Sequence, residues 1–262
     1  MPTLTRDFSL FGISLFWPTT LLSLVVSSMT LPFARGADMY GGYPFFFLGL
    51  AWLSVWTLVA GYCESIAFLS ACRAMQGLAV AAFQPASFTL IGGVYPPGRR
   101  RNIVFGTYAA CAPLGFYCGI LVSGLAVQYL NWSWYFWIAS ILSFVTVGLA
   151  FLSIPSDLLD RRQLNLTMDW MGSFTITAGL LLVAYALAAS SHTTGGWASP
   201  RTLAAFLTGL GCLCAAAYIE LRVAKCAILP CDFFKPKGVT PFIMASVFFY
   251  GSFGVFLFYS ML

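Results

Sequence analysis

The sequence predicts an all-α, polytopic bundle of about eight membrane-spanning helices, and three observations lead there. Of its residues, 60% are hydrophobic and 8% charged, with a mean hydropathy of +0.87. A soluble domain carries about 25% charged residues because its surface has to be hydrated. The apolar residues fall in blocks of about 20, the length that crosses a ~30 Å hydrocarbon core as a helix. Runs such as Leu180 to Ala189 do not alternate, as the strands of a transmembrane barrel would.

Hydropathy, read with turn and charge punctuation, places the spans at roughly 12–33, 45–62, 65–94, 103–127, 134–154, 169–190, 202–221 and 239–262. The first ends before Arg35 to Asp38, read as a loop that continues through Met39-Tyr40-Gly41-Gly42. The third closes on Pro96-Pro97-Gly98, and the fifth stops short of the polar stretch Asp157 to Thr167. The sixth is followed by Gly195-Gly196, and Lys235-Pro236-Lys237-Gly238 precedes the eighth. The N-terminal apolar stretch lacks a small-residue cleavage site with a soluble chain behind it, so it is not read as a signal peptide. The eighth span runs into Leu262 without a closing polar tail, and both ends are expected to be cut.

Charge placement gives the orientation. Arg35, Arg99, Arg100, Arg101, Arg161, Arg162, Arg222, Lys225, Lys235 and Lys237 fall on one side, ten in all, against Arg6 and Arg201 on the other. This bias puts the ten in the cytoplasm. It also explains the net charge of +5 without any nucleic acid.

The thirteenth cation, Arg73, lies inside a span. Eight residues in from Ser65, it sits about 12 Å deep along its helix at 1.5 Å per residue. A charge at that depth is a functional hypothesis by default, against the plainer alternative of snorkelling to the outer interface. Gln76 adds an amide one turn on, and Gly77 allows close helix approach. Asp38 can cap orphan amides or serve as an ordinary turn aspartate. Gly106, Pro113, Gly115, Gly119 and Gly124 would let span 103–127 pack closely and bend as a flexing transport helix, the plainer alternative being a simple packing face.

Other chemistry is weak. Asn131-Trp132-Ser133 is formally a glycosylation sequon in a very short outer loop, and His192, the one histidine, lies in the Ser190 to Trp197 loop. Ser252 has no histidine to activate it as a nucleophile. Cys72, Cys111, Cys118, Cys212 and Cys214 sit in apolar runs and behave as small hydrophobes; Cys212 and Cys214 lack the partners of a zinc site. With no phosphate loop either, neither an enzyme, a cofactor, a metal nor ATP-driven transport is expected.

These motifs together resemble the major facilitator superfamily, specifically the fungal fourteen-helix drug:proton antiporter branch, with aminotriazole-resistance-type transporters and secondary-metabolite efflux pumps nearest in pattern. Arg73-Ala-Met-Gln76-Gly77 matches the fourth-helix R-x-x-Q-G signature, and Ala34-Arg-Gly-Ala-Asp38-Met-Tyr-Gly41 looks like the loop motif G-x-L-A-D-x-x-G. Ala112-Pro113-Leu-Gly115 with Gly119 resembles the fifth-helix antiporter motif, and Trp132-Ser-Trp134-Tyr-Phe136 resembles the W-x-W-x-F run before the sixth helix. Asp169-Trp170-x-Gly172 and Gly196-Trp197 look like markers of the extra helices in this branch. Ala34 and Ala112 stand where the family has glycine, and Gly42-Tyr43 where it has basic residues.

The resemblance implies a partial facilitator fold covering family helices two to nine. Residues 1–154 would form an incomplete N-terminal bundle of five spans, 155–168 a cytoplasmic linker, and 169–221 the two extra spans. Residues 222–238 would form a cytoplasmic loop, and 239–262 the first span of a truncated C-terminal bundle. It implies proton-coupled efflux of small hydrophobic compounds, drugs or fungal metabolites, by alternating access around a midplane site. Arg73, Gln76 and Gly77 would serve coupling or gating, Asp38 and Gly41 a cytoplasmic latch, and Pro113, Gly115 and Gly119 a bending helix. Lipid, protons and the substrate would be the partners, in the plasma membrane or else the vacuolar one. The alternative is a non-transporting remnant or membrane interaction protein.

Overall fold

The computed structural model describes residues 16–154, 168–190, 195–222 and 238–260. Among the described residues eight α-helices follow one another: α1 Phe16–Tyr40, α2 Gly42–Ala60, α3 Ile66–Val94, α4 Arg99–Tyr129, α5 Ser133–Ser153, α6 Trp170–Ser190, α7 Pro200–Arg222 and α8 Val239–Ser260. A 3-10 turn, Gly196–Ala198, precedes α7. Seven are long and apolar enough to cross a membrane; in α8 the apolar stretch Val239–Ser252 is shorter. The chain is thus an integral, multi-pass membrane protein. The 155–168 linker with Arg161 and Arg162, His192, Arg6, and the Lys225 to Lys237 charges lie outside the described residues, apart from Met168.

Helix ends follow local chemistry. Ser65 caps α3, its Oγ accepting from the Phe68 amide at 3.2 Å. Between α1 and α2 a single residue is non-helical, Gly41, with φ 93°. A side chain is strained at that angle, and so glycine stands there.

One boundary departs from expectation. The segment from Arg35 to Asp38 is not a loop but part of the last turns of α1, which continues to Tyr40. Hydropathy marks where the chain leaves hydrocarbon, whereas backbone hydrogen bonding lets the helix run on into the headgroup region. Likewise Arg99, Arg100 and Arg101 form the first turn of α4. Cations at a helix N-terminus oppose the macrodipole by about 0.3–1 kcal/mol each. Attraction to an anionic lipid surface would offset that by about 1 kcal/mol per basic residue.

Packing is most extensive between α1 and α3, α2 and α3, and α6 and α7, with α2–α5 and α1–α6 next. Glycines set these close approaches. A Cβ at Gly77 would fall 2.8 Å from the Leu22 carbonyl oxygen and 2.9 Å from Val25 Cβ, so α3 rides directly on α1. Overpacking such a seam costs about 1–3 kcal/mol. Ser140 Oγ donates to the Ser54 carbonyl at 2.9 Å, fastening α5 to α2. By contrast, Gly106, Gly115, Gly119 and Gly124 on α4 face open space, and of the α4 residues only Ala126 is buried.

Alternation of the helices yields a topology that can be checked. Epitope tags at Arg99–Arg101 and within 222–238 are expected on the cytoplasmic face, and one within 191–196 on the opposite face. Finding the first and last on one face would overturn the span order.

Candidate functional site

The signature residues gather toward the N-terminal end of α3. The Arg73 guanidinium lies 4.9 Å from the centroid of the Phe136 ring. Its Nη1 donates to Gln76 Oε1 at 3.3 Å, and the Tyr135 side chain lies close to it. Gln76, 2% exposed, donates through Nε2 to the Trp56 carbonyl and to Thr57 Oγ1, both at 3.3 Å. One amide therefore ties α3 to α2 while orienting the cation, and the cation reaches α5. Among the described residues no carboxylate forms an ion pair with Arg73.

These neighbours revise the depth. Counted along α3 alone, Arg73 is about 12 Å in. Yet Trp56 and Thr57 belong to the last turns of α2, which stops at Ala60, and Tyr135 and Phe136 to the first turn of α5. Measured against those two helices, the guanidinium is about one turn, ~5 Å, from their near ends. Because α3 begins further out than its neighbours end, counting along one helix overestimates burial. Trp132, Trp134, Trp137 and Tyr62 crowd the same level, with Tyr62 and Trp137 rings 5.3 Å apart and Trp134 and Trp137 5.2 Å apart. Such a cluster marks a membrane–water interface. Arg73 thus sits half-buried in an aromatic box about one turn from the nearby ends of α2 and α5.

At the other end of α3, Asp38 is exposed and accepts from Thr89 Oγ1 at 3.1 Å. It does not cap α2, whose N-cap Gly41 makes no side-chain bond. Nothing unites it with Arg73: the two stand at opposite ends of α3. Pro113 lies inside an unbroken α4, and Gly115 and Gly119 have no helix against them among the described residues. Asp169 caps α6, its Oδ1 accepting from the Gly172 amide at 3.0 Å. A Cβ at Gly172 would collide with the Asp169 carboxylate, which gives the D-x-x-G spacing a physical reason. Trp170 projects outward, three-quarters exposed. Asn131 is exposed in the short α4–α5 connection. Cys212 and Cys214 belong to no group of metal-ligating side chains among the described residues.

Sequence reasoning missed several participants: Thr57 and Thr89, which complete polar contacts between helices, and Tyr108, whose hydroxyl meets Ser87 Oγ at 2.8 Å. It also missed a cavity of about 480 Å³ bounded by Phe33, Phe45, Leu48, Trp52, Leu78 and Ala82. Its volume suits a small molecule, and its walls are apolar and aromatic.

A sequence model of the Major Facilitator Superfamily matches residues 1–262. The chain belongs to the major facilitator superfamily. Its facilitator relatives include the low affinity ammonium transporter of Saccharomyces cerevisiae, 34% identical over 94% of this chain and 48% of that protein. Efflux pump terJ of Aspergillus terreus is 33% identical over 94% of this chain and 48% of its own. The aminotriazole resistance protein of Saccharomyces cerevisiae is 31% identical over 99% of this chain and 48% of its own. The facilitator chain here spans about half the length of these curated relatives. Transporter names on the relatives point away from an enzyme.

Proposed function

We propose that the chain serves in a secondary active transporter that exports small hydrophobic compounds, such as drugs or fungal metabolites, against protons by alternating access. One observation carries the reading: the chain aligns over nearly all its length with relatives named for efflux or resistance. The apolar cavity among α1, α2 and α3 is consistent with a substrate entering from the bilayer. In this reading 1–154 belongs to the N-terminal bundle, 155–168 is a linker and 169–221 holds the two additional spans. Residues 222–238 then lead cytoplasmically to 239–262, the first span of a second bundle. Plasma membrane is the proposed site of action.

Arg73, Gln76 and Gly77 act in this scheme as an outer clamp joining α2, α3 and α5. Asp38 and Gly41 act as an inner latch, and Pro113, Gly115 and Gly119 let α4 bend. A proton entering down a potential of about 100 mV releases about 2.3 kcal/mol, enough to drive tens-fold accumulation without a nucleotide site.

The test co-expresses this chain with the C-terminal half of terJ in a drug-sensitive yeast. Efflux of hydrophobic dyes and uptake of labelled methylammonium are followed with and without a protonophore. Dye efflux that collapses with the gradient is expected. Methylammonium movement alone would replace the hydrophobic substrate class, and gradient-independent dye efflux would remove proton coupling.

A further inference from the structure

Cys63 lies in the 61–65 connection between α2 and α3, and Cys72 stands in the second turn of α3. Their Sγ atoms are 3.6 Å apart, in van der Waals contact. Both are buried, at 3% and 0% exposure, within a cluster that includes Ala60, Leu69 and Phe136, with Trp132 and Tyr135 against it. No third metal-ligating side chain joins them among the described residues. By the charge asymmetry this connection faces away from the cytoplasm, on the side where disulfides persist.

We propose that Cys63 and Cys72 form a disulfide that staples the outer α2–α3 connection to α3, one residue before Arg73. Bond formation needs the sulfurs to close from 3.6 Å to about 2.05 Å. Cys63 can supply that movement because it is outside the helices. Its amide bond to the Ala60 carbonyl is 3.4 Å, longer than those of Gly61 (3.1 Å) and Tyr62 (3.0 Å) just before it.

The oxidant is a disulfide-bearing thiol oxidoreductase of the secretory lumen. The Cys63 thiolate attacks the oxidant's S–S bond, giving a mixed disulfide and releasing one oxidant thiol. Cys72 then loses its proton and attacks Cys63 Sγ; the Cys63–Cys72 bond forms and the second oxidant thiol leaves. Both electrons and both protons end on the oxidant. Burial, then the hydrogen bond and charge of Cys72, push the Cys63 thiol up to about 12 in the folded chain. Exchange therefore belongs to membrane insertion, before the cluster closes, and the finished bond is shielded from reductants.

The staple would hold the turn bearing Arg73 in register with the aromatic box. Membranes containing the 262-residue chain are quenched in acid, denatured and alkylated without reduction. Trypsin then releases Gly36–Arg73, which carries both cysteines and no internal Lys or Arg. The peptide is expected mostly unalkylated and lighter by two hydrogens, taking two alkyl groups only after reduction. Cleavage after Glu64 should leave its two parts joined until reductant is added. In the single variants Cys63→Ala and Cys72→Ala the remaining thiol should alkylate directly. A wild-type peptide mostly alkylated at both positions without reduction would overturn the proposal.

Discussion

Replacing Arg73 with alanine is expected to cut export at least about tenfold, with the protein still reaching the membrane in near-normal amount. The cation bridges α3 to α5 through Tyr135 and Phe136, and Gln76 bridges α3 to α2. In the proposed scheme those contacts lock three helices of one bundle together, so that the bundle can rock as a single body against the other. Accumulation should survive for a balancing reason. A cation–π contact contributes about 0.5–2 kcal/mol, while truncation relieves a partly desolvated charge that no carboxylate among the described residues offsets. Lysine should restore transport only in part, since an ammonium cannot address Gln76, Tyr135 and the ring face together as a planar fork does. The measurement is initial export rate, normalised to surface protein, with the complementary half supplied. Normal export by Arg73→Ala would make the residue an interfacial anchor and nothing more.

Expressed alone, the 262 residues are expected to give no gradient-dependent export. A facilitator's site lies between two bundles that rock against each other. The relatives named as an efflux pump and as an aminotriazole resistance protein are each about twice the length of this chain. The α4 glycine face is open in the structure, and α8 packs extensively against none of the other described helices. Small-residue faces contribute stability in lipid only when another helix fills them. Low abundance with rapid turnover is expected, and a separately expressed C-terminal half of a relative should raise both abundance and export. Export by the chain alone would overturn this and point to a homodimer supplying the second bundle. Rescue of abundance without export would favour the membrane interaction protein instead.

The spans were legible because hydrophobicity over about 20 residues is an additive property of neighbours in sequence. The third span, placed at 65–94, is observed as Ile66–Val94 with Ser65 as its cap. Helix ends beyond the hydrocarbon were less legible: Arg35 and Asp38 looked like a loop because charge was taken to end a helix. Gln76 and Gly77 could be named from the signature, but the depth of Arg73 could not be judged. That depends on the lateral stagger of α3 against α2 and α5, which no single stretch encodes. The pairing of Cys63 with Cys72 was hidden for the same reason. A capped helix start stands between them, and only the fold shows that the connection doubles back onto the second turn.

Gly41 carries one more consequence. With φ 93° it alone separates α1 from α2, and the Cβ position of the next residue, Gly42, is already filled by the Ala86 carbonyl oxygen of α3. A one-residue link has no slack, so α1 and α2 are joined like the arms of a bell crank whose pivot is wedged against α3. Tilting one arm swings the other, and the displacement is largest at the far tips. Those tips lie some ~30 Å away across the bilayer, where α2 ends beside Arg73. A small rotation at the Gly41 end would thereby be geared up into a larger displacement at the end of α2 beside Arg73.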